Sequence, residues 1–129
     1  MIKVTCAIIE HNNKVLVTQR SEKMALPLKW EFPGGKIEKN ETAEVCLIRE
    51  ILEELDINIK ITKELKSNTH EYSETKIIKL MPFICQLVSG EIKLNEHASF
   101  LWLSKNELVA LDWAEADIPI LNEYLKIIE

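Results

Sequence analysis

Glu50, Glu53 and Glu54 stand three and four residues apart, with Arg49 beside them, inside the stretch GKIEKNETAEVCLIREILEELDI that spans residues 35–57. On a helix this spacing puts all the carboxylates of the group on one narrow face. Each like-charge pair so placed costs about 0.2–0.5 kcal/mol. The group also falls late in its helix, where the dipole disfavours negative charge. Such a placement is unfavourable unless a cation shares the site. Hard divalent cations such as magnesium take oxygen ligands and often hold substrate phosphates at the same time.

The elements that must position these groups follow from the apolar pattern. Residues 2–10 and 14–20 are β-type runs separated by His11-Asn12-Asn13, a good hairpin turn. Residues 21–30, with Pro27, read as a loop. Trp30-Glu31-Phe32 reads as a short strand stopped by Pro33-Gly34-Gly35. Ala43, Leu47, Ile48, Ile51, Leu52 and Leu55 recur at helical spacing and predict a helix over 42–55, capped by Asn40 or Thr42. Runs near 57–70 and 75–88 predict two long antiparallel strands, 90–97 a loop, 99–103 a strand and 104–109 a short helix capped by Ser104. A final helix is expected from about Asp117-Ile118-Pro119 to the C-terminus, since proline suits a first turn. Strands on both sides of one central helix, with a closing helix, predict an α+β fold: an α/β/α sandwich with a central mixed β-sheet between helices.

Composition limits the options. With 129 residues, 47% hydrophobic and 29% charged, the chain suits one globular domain, 1–129. Its net charge of −5 and lack of Lys/Arg-rich clusters argue against binding a nucleic-acid polymer or an anionic membrane. Cys6, Cys46 and Cys85 are far apart and form no CxxC pair, so buried reduced thiols are expected. The N-terminus alternates like a strand rather than a signal peptide, and no run approaches a membrane span. A soluble, cytoplasmic protein is expected.

Residues 35–57 resemble the Nudix box, G-x5-E-x7-R-E-U-x-E-E-x-G-U with U apolar. Gly35, Glu41, Arg49, Glu50, Ile51, Glu53, Glu54 and Ile57 match it in order, and Asp56 stands where the family usually has glycine. That glycine normally ends the helix in a left-handed conformation, which aspartate tolerates at modest cost; a slightly strained helix end is expected. The resemblance implies the Nudix fold and its roles. Glu50, Glu53 and Glu54, with the Gly34 carbonyl, would bind Mg2+, with Mn2+ a possible substitute. Arg49 would hold Glu41 or Glu50 in place. Outside the box, Trp30 to Glu38 resembles the MutT and CTP-pyrophosphohydrolase branch. By that likeness Arg20 and Lys36 would neutralise phosphate. Glu96 would be a metal ligand or the general base, with Glu50 or Glu53 the competing base. His97 would hydrogen-bond its own loop, and His11 and His70 carry no assigned role. Residues 111–117, LDWAEAD, resemble the LDWAPAD segment of CTP-pyrophosphohydrolase-like and oxidised-nucleotide-cleaving members, with Glu115 in place of proline. Asp117 would then read the base, with Trp113 or Phe32 lining the pocket; the plainer alternative puts Trp113 in the core and has Asp117 cap the last helix.

The resemblance thus implies a Mg2+-dependent nucleoside triphosphate pyrophosphohydrolase releasing nucleoside monophosphate and pyrophosphate. CTP or dCTP-type pyrimidines and 8-oxo-dGTP are the expected substrates, and nucleotide-pool cleansing the expected role. The alternatives are hydrolysis of ADP-ribose or dinucleoside polyphosphates, or a non-catalytic Nudix module that only binds. Monomer and homodimer both remain open at this stage.

Overall fold

In the computed structural model, which describes residues 1–127, Asn12 and Asn13 both adopt left-handed backbone, with φ of 51° and 63°. A two-residue hairpin turn requires that conformation and asparagine tolerates it. The turn joins β1 (Ile2–His11) to β2 (Lys14–Gln19). Then come β3 (Trp30–Glu31), β4 (Gly34–Lys36), α1 (Ala43–Leu55), β5 (Asn58–Glu64), β6 (Asn68–Glu71), β7 (Ile77–Ser89) and β8 (Ser99–Leu103). α2 (Lys105–Leu108), a 3₁₀ turn over Glu115–Asp117 and α3 (Ile118–Ile127) close the described chain. The end of the last helix expected from the sequence, at 128–129, lies outside the described residues.

The described strands form one eight-stranded mixed sheet with the path β3-β2-β1-β7-β5, while β4 pairs with β1, β6 with β7 and β8 with β2. β1 and β7 run parallel from Ile2↔Ile78 to Glu10↔Gln86; the other pairings are antiparallel. Strand periodicity then divides the core. Ala7, Ile9, Leu16, Phe83 and Cys85 face one way and pack with Leu47, Ile51 and Leu55 of α1. Cys6, Ile8, Val15, Val17 and Ile84 face the other and pack with Leu108, Ile120, Leu121 and Tyr124 of α2 and α3. The predicted α/β/α sandwich is the observed architecture. Ile48 and Leu52, counted on the apolar face of α1 from the sequence, are exposed together with Val45. The three cysteines are buried and free, as expected.

The strand at Trp30 does end before Pro33, as expected, and a strand that the sequence did not predict follows at once: Gly34–Lys36 forms β4, paired with Cys6, Thr5 and Val4 of β1. The glycines permit it, because a Cβ on Gly34 would lie 2.0 Å from the Thr5 carbonyl oxygen. The run 57–70 is not one strand but two, β5 and β6, both along β7. The break lies at Pro82, whose carbonyl accepts from Leu65 N–H at 3.0 Å. Its ring nitrogen faces the same side and has no hydrogen to donate, so the ladder cannot continue past it.

Candidate active site

α1 begins at Thr42, whose Oγ1 accepts from Val45 N–H at 3.2 Å. It ends at Asp56 with left-handed φ 58°, and Asp56 N–H donates to the Leu52 carbonyl. The expected strained C-cap is therefore present. Between these ends, Arg49 gathers the acids. Its Nε and Nη2 donate to the two oxygens of Glu41 at 2.7 and 2.9 Å, and its Nη1 donates to Glu50 at 2.9 Å and Glu53 at 3.2 Å. The guanidinium holds the Glu41 carboxyl down to about 2, and the Glu38 N–H adds to the effect. Glu41 and Glu50 both engage Arg49, so it aligns the row rather than one partner.

Glu54 differs in kind. It is 4% exposed, and its Oε1 is buried with no hydrogen-bond partner among the described residues. Burial first, then repulsion from Glu96, Glu31 and Glu50, pushes its carboxyl up to about 9; only the Gly34 N–H pulls the other way. Glu50 is raised by burial as well, against the pull of Arg49. A Cβ on Gly35 would sit 2.3 Å from Cδ of Glu50, so that glycine leaves room for the carboxylate over β4.

The segment 93–97 closes the end of α1. Lys93 N–H donates to the Leu55 carbonyl at 2.9 Å and Asn95 N–H to Glu54 at 3.1 Å, while Asn95 Nδ2 donates to Glu53 at 2.7 Å. These are carbonyls that a helix end leaves without partners. The clamp carries Glu96 to where its charge acts on both Glu54 and Glu50. Among the described residues no three His, Cys, Asp or Glu side chains already converge tightly enough to hold a metal ion. The donor set nonetheless fits one: hard oxygens, an orphaned buried carboxyl oxygen and mutual repulsion that a divalent cation would relieve.

Beside the acids opens a cleft of about 500 Å³, lined by Thr5, Arg20, Phe32, Gly34, Gly35, Lys36 and Asp117 among others. Asp117 Oδ2 accepts from Phe32 N–H at 2.8 Å, so its side chain ties the start of α3 to the residue just past β3. Burial, with Glu31 second, pushes the Asp117 carboxyl up to about 8. Trp113 does not line the cleft. It is buried behind Phe32, ring centroids 4.8 Å apart, and its Nε1 donates to the Leu108 carbonyl at 2.8 Å. Arg20 lies at the cleft wall with donors already engaged, Nε on the Ala25 carbonyl and Nη1 on Glu31, both at 2.6 Å.

Sequence reasoning missed Glu31. It binds Arg20 and also His97, whose Nε2 is 2.9 Å from Glu31 Oε2. His97 thus pairs with β3, not with its own loop as expected. Glu31 adds to the field on both Glu54 and Asp117 and so stands between the acidic row and the far end of the cleft. Its one sequence signal is a charge between Trp30 and Phe32 in a strand. Tyr72 and Lys76, which also line the cleft, carry no motif.

Comparison with known proteins places this geometry. The sequence profile of the NUDIX domain matches residues 1–124. The CTP pyrophosphohydrolase of Escherichia coli K12 is 35% identical over 125 residues, covering 97% of this chain and 92% of that protein. The 8-oxo-dGTP diphosphatase of Escherichia coli K12 is 30% identical over 121 residues, covering 93% of each. A solution structure of the DNA mismatch repair protein MutT, a Nudix-family hydrolase from methicillin-resistant Staphylococcus aureus 252, superposes with a TM-score of 0.78. It is 48% identical, covering 98% of this chain and 96% of that one.

Proposed function

The chain belongs to the Nudix family, and from that premise we propose that it is a magnesium-dependent nucleoside triphosphate pyrophosphohydrolase acting on CTP-type or oxidised nucleotides such as 8-oxo-dGTP. That it is a Nudix pyrophosphohydrolase follows from relatives so named along nearly its whole length. The observation that carries the metal reading is Glu54: a buried carboxyl with an orphaned oxygen, pressed by Glu96 and Glu50. Glu50, Glu53, Glu54 and Glu96, with the Gly34 carbonyl, would hold the divalent ion. An ion held by these residues would supply neutralisation of the phosphate charge that develops as the bond breaks.

This chain's own groups do the rest. Water attacks the β-phosphorus, and the bond from that phosphorus to the α–β bridging oxygen breaks. The oxygen stays with the nucleoside monophosphate, and pyrophosphate leaves. Glu96 takes the proton of the attacking water, with Glu50 or Glu53 the rival base. Arg49 positions the acids. Lys36 and Arg20 face the phosphate chain from the cleft wall. Asp117 and Phe32 meet the base. The described residues include no helix long and apolar enough to cross a membrane.

The test is pyrophosphate release from a panel of CTP, dCTP and 8-oxo-dGTP with Mg2+, for wild type and Glu53→Gln. The variant should keep its fold by circular dichroism and lose activity by about a hundredfold or more. Release at the wild-type rate by Glu53→Gln would sink the metal assignment.

A further inference from the structure

The cleft has a wall that the reading above leaves unused. Residues 72–76, between β6 and β7, fold back so that Tyr72 N–H donates to the Lys76 carbonyl at 2.9 Å. The Tyr72 ring then lines the same cleft as Phe32, Glu31 and Asp117, near enough for Asp117, Arg20 and Glu31 to act on its hydroxyl. Although Tyr72 is 38% exposed, its ring is not loose. The edge of His70 meets it at 4.5 Å and 73°, and Lys76 Nζ lies 5.3 Å from its centroid. His70 Nε2 in turn lies 3.5 Å from Glu115 Oε2, in the same 3₁₀ turn as Asp117.

Phe32 is backed by Trp113, and Tyr72 is held by His70 and Lys76. A ring fixed by its neighbours and open to a cleft is a stacking surface for a heterocycle. A surface tyrosine that only tidied the turn would have no reason to line the cavity floored by Asp117. We propose that Tyr72 is a specificity-determining residue: its ring is the second stacking wall of the nucleobase subsite, and with Phe32 it decides which bases are accepted. This deepens, and rests on, the assignment of the chain as a nucleoside triphosphate pyrophosphohydrolase.

Steady-state kinetics with CTP, dCTP and 8-oxo-dGTP in Mg2+ would compare wild type, Tyr72→Leu and Tyr72→Phe, with inhibition by inorganic pyrophosphate alongside. Tyr72→Leu should raise KM by about tenfold, unequally across the bases, with kcat little changed. Inhibition by pyrophosphate, which has no base, should not move. Tyr72→Phe, which keeps the ring, should retain the wild-type ratios of KM. An equal rise for every base, an unchanged KM, a loss confined to kcat, or a Phe variant as impaired as the Leu one would each overturn the role. A wild-type protein that cleaves none of these triphosphates would instead overturn the underlying activity, and the two failures are read on different proteins.

Discussion

A buried carboxyl that lacks a partner is a cost unless something arrives to share it. Glu54 has ordinary reasons to be neutral, burial and the charges of Glu96, Glu31 and Glu50, and its carboxyl sits at about 9. A divalent ion must therefore displace a proton to use it. Affinity for Mg2+ or Mn2+ should rise as pH increases from 6 to 9, with about one proton released per ion bound. Calorimetric titration in two buffers of different ionisation enthalpy measures that release. In Glu54→Gln both the release and the pH dependence should vanish; their persistence would move the titrating group elsewhere. The identities and spacing of Glu50, Glu53 and Glu54 were legible in the sequence because a helix turns regularly. Which of them is buried was not, because that depends on the 93–97 clamp and β4 closing over α1.

At the scale of elements, Gly34 and Gly35 look alike in the sequence and do different work in the fold. A Cβ at Gly34 strikes backbone of β1, at 2.0 Å from the Thr5 oxygen and 2.7 Å from Cys6 Cα. Backbone cannot turn aside as a rotamer can, so Gly34→Ala must prise β4 from β1. It should lower stability by about 1–3 kcal/mol or more, seen as a lower urea midpoint. A Cβ at Gly35 strikes first the side chain of Glu50, at 2.3 Å from its Cδ. Gly35→Ala should cost less stability and more activity, because the carboxylate is displaced while the strand survives. If the two variants lost stability equally and activity equally, the distinction drawn between them would be wrong. The sequence reading placed the hairpin, α1 and the left-handed Asp56 because their signals are local. It joined β5 to β6 because apolar alternation continues along 57–70, whereas the break is imposed from the paired strand, by Pro82 of β7. Glu31 and Tyr72 were missed for the same reason: strand pairings far apart in sequence bring them to the cleft.

For the whole molecule, the same buried acids make stability depend on pH. Asp117 at about 8 and Glu54 at about 9 keep protons in the folded state that the unfolded chain gives up at ordinary carboxylate values near 4. Across the interval between, the folded state binds more protons, so stability falls as pH rises. Glu41 opposes this only in strong acid. Its carboxyl is held near 2, so its contribution is complete above the unfolded value and constant from pH 5 upward. With a chelator present, Tm should therefore fall between pH 5 and pH 8 by about 5 °C or more, and Asp117→Asn should flatten part of that slope. Millimolar Mg2+ should raise Tm most at the alkaline end, where the ion faces least competition from the Glu54 proton. Thermal melts across pH, with and without the ion, read both effects. A Tm that climbed with pH in chelator would mean that Glu54 and Asp117 ionise freely in the folded protein. The two carboxylates would then be charged at no cost to the fold, leaving no penalty for a cation to relieve, and the case for one beside Glu54 would lose its physical basis.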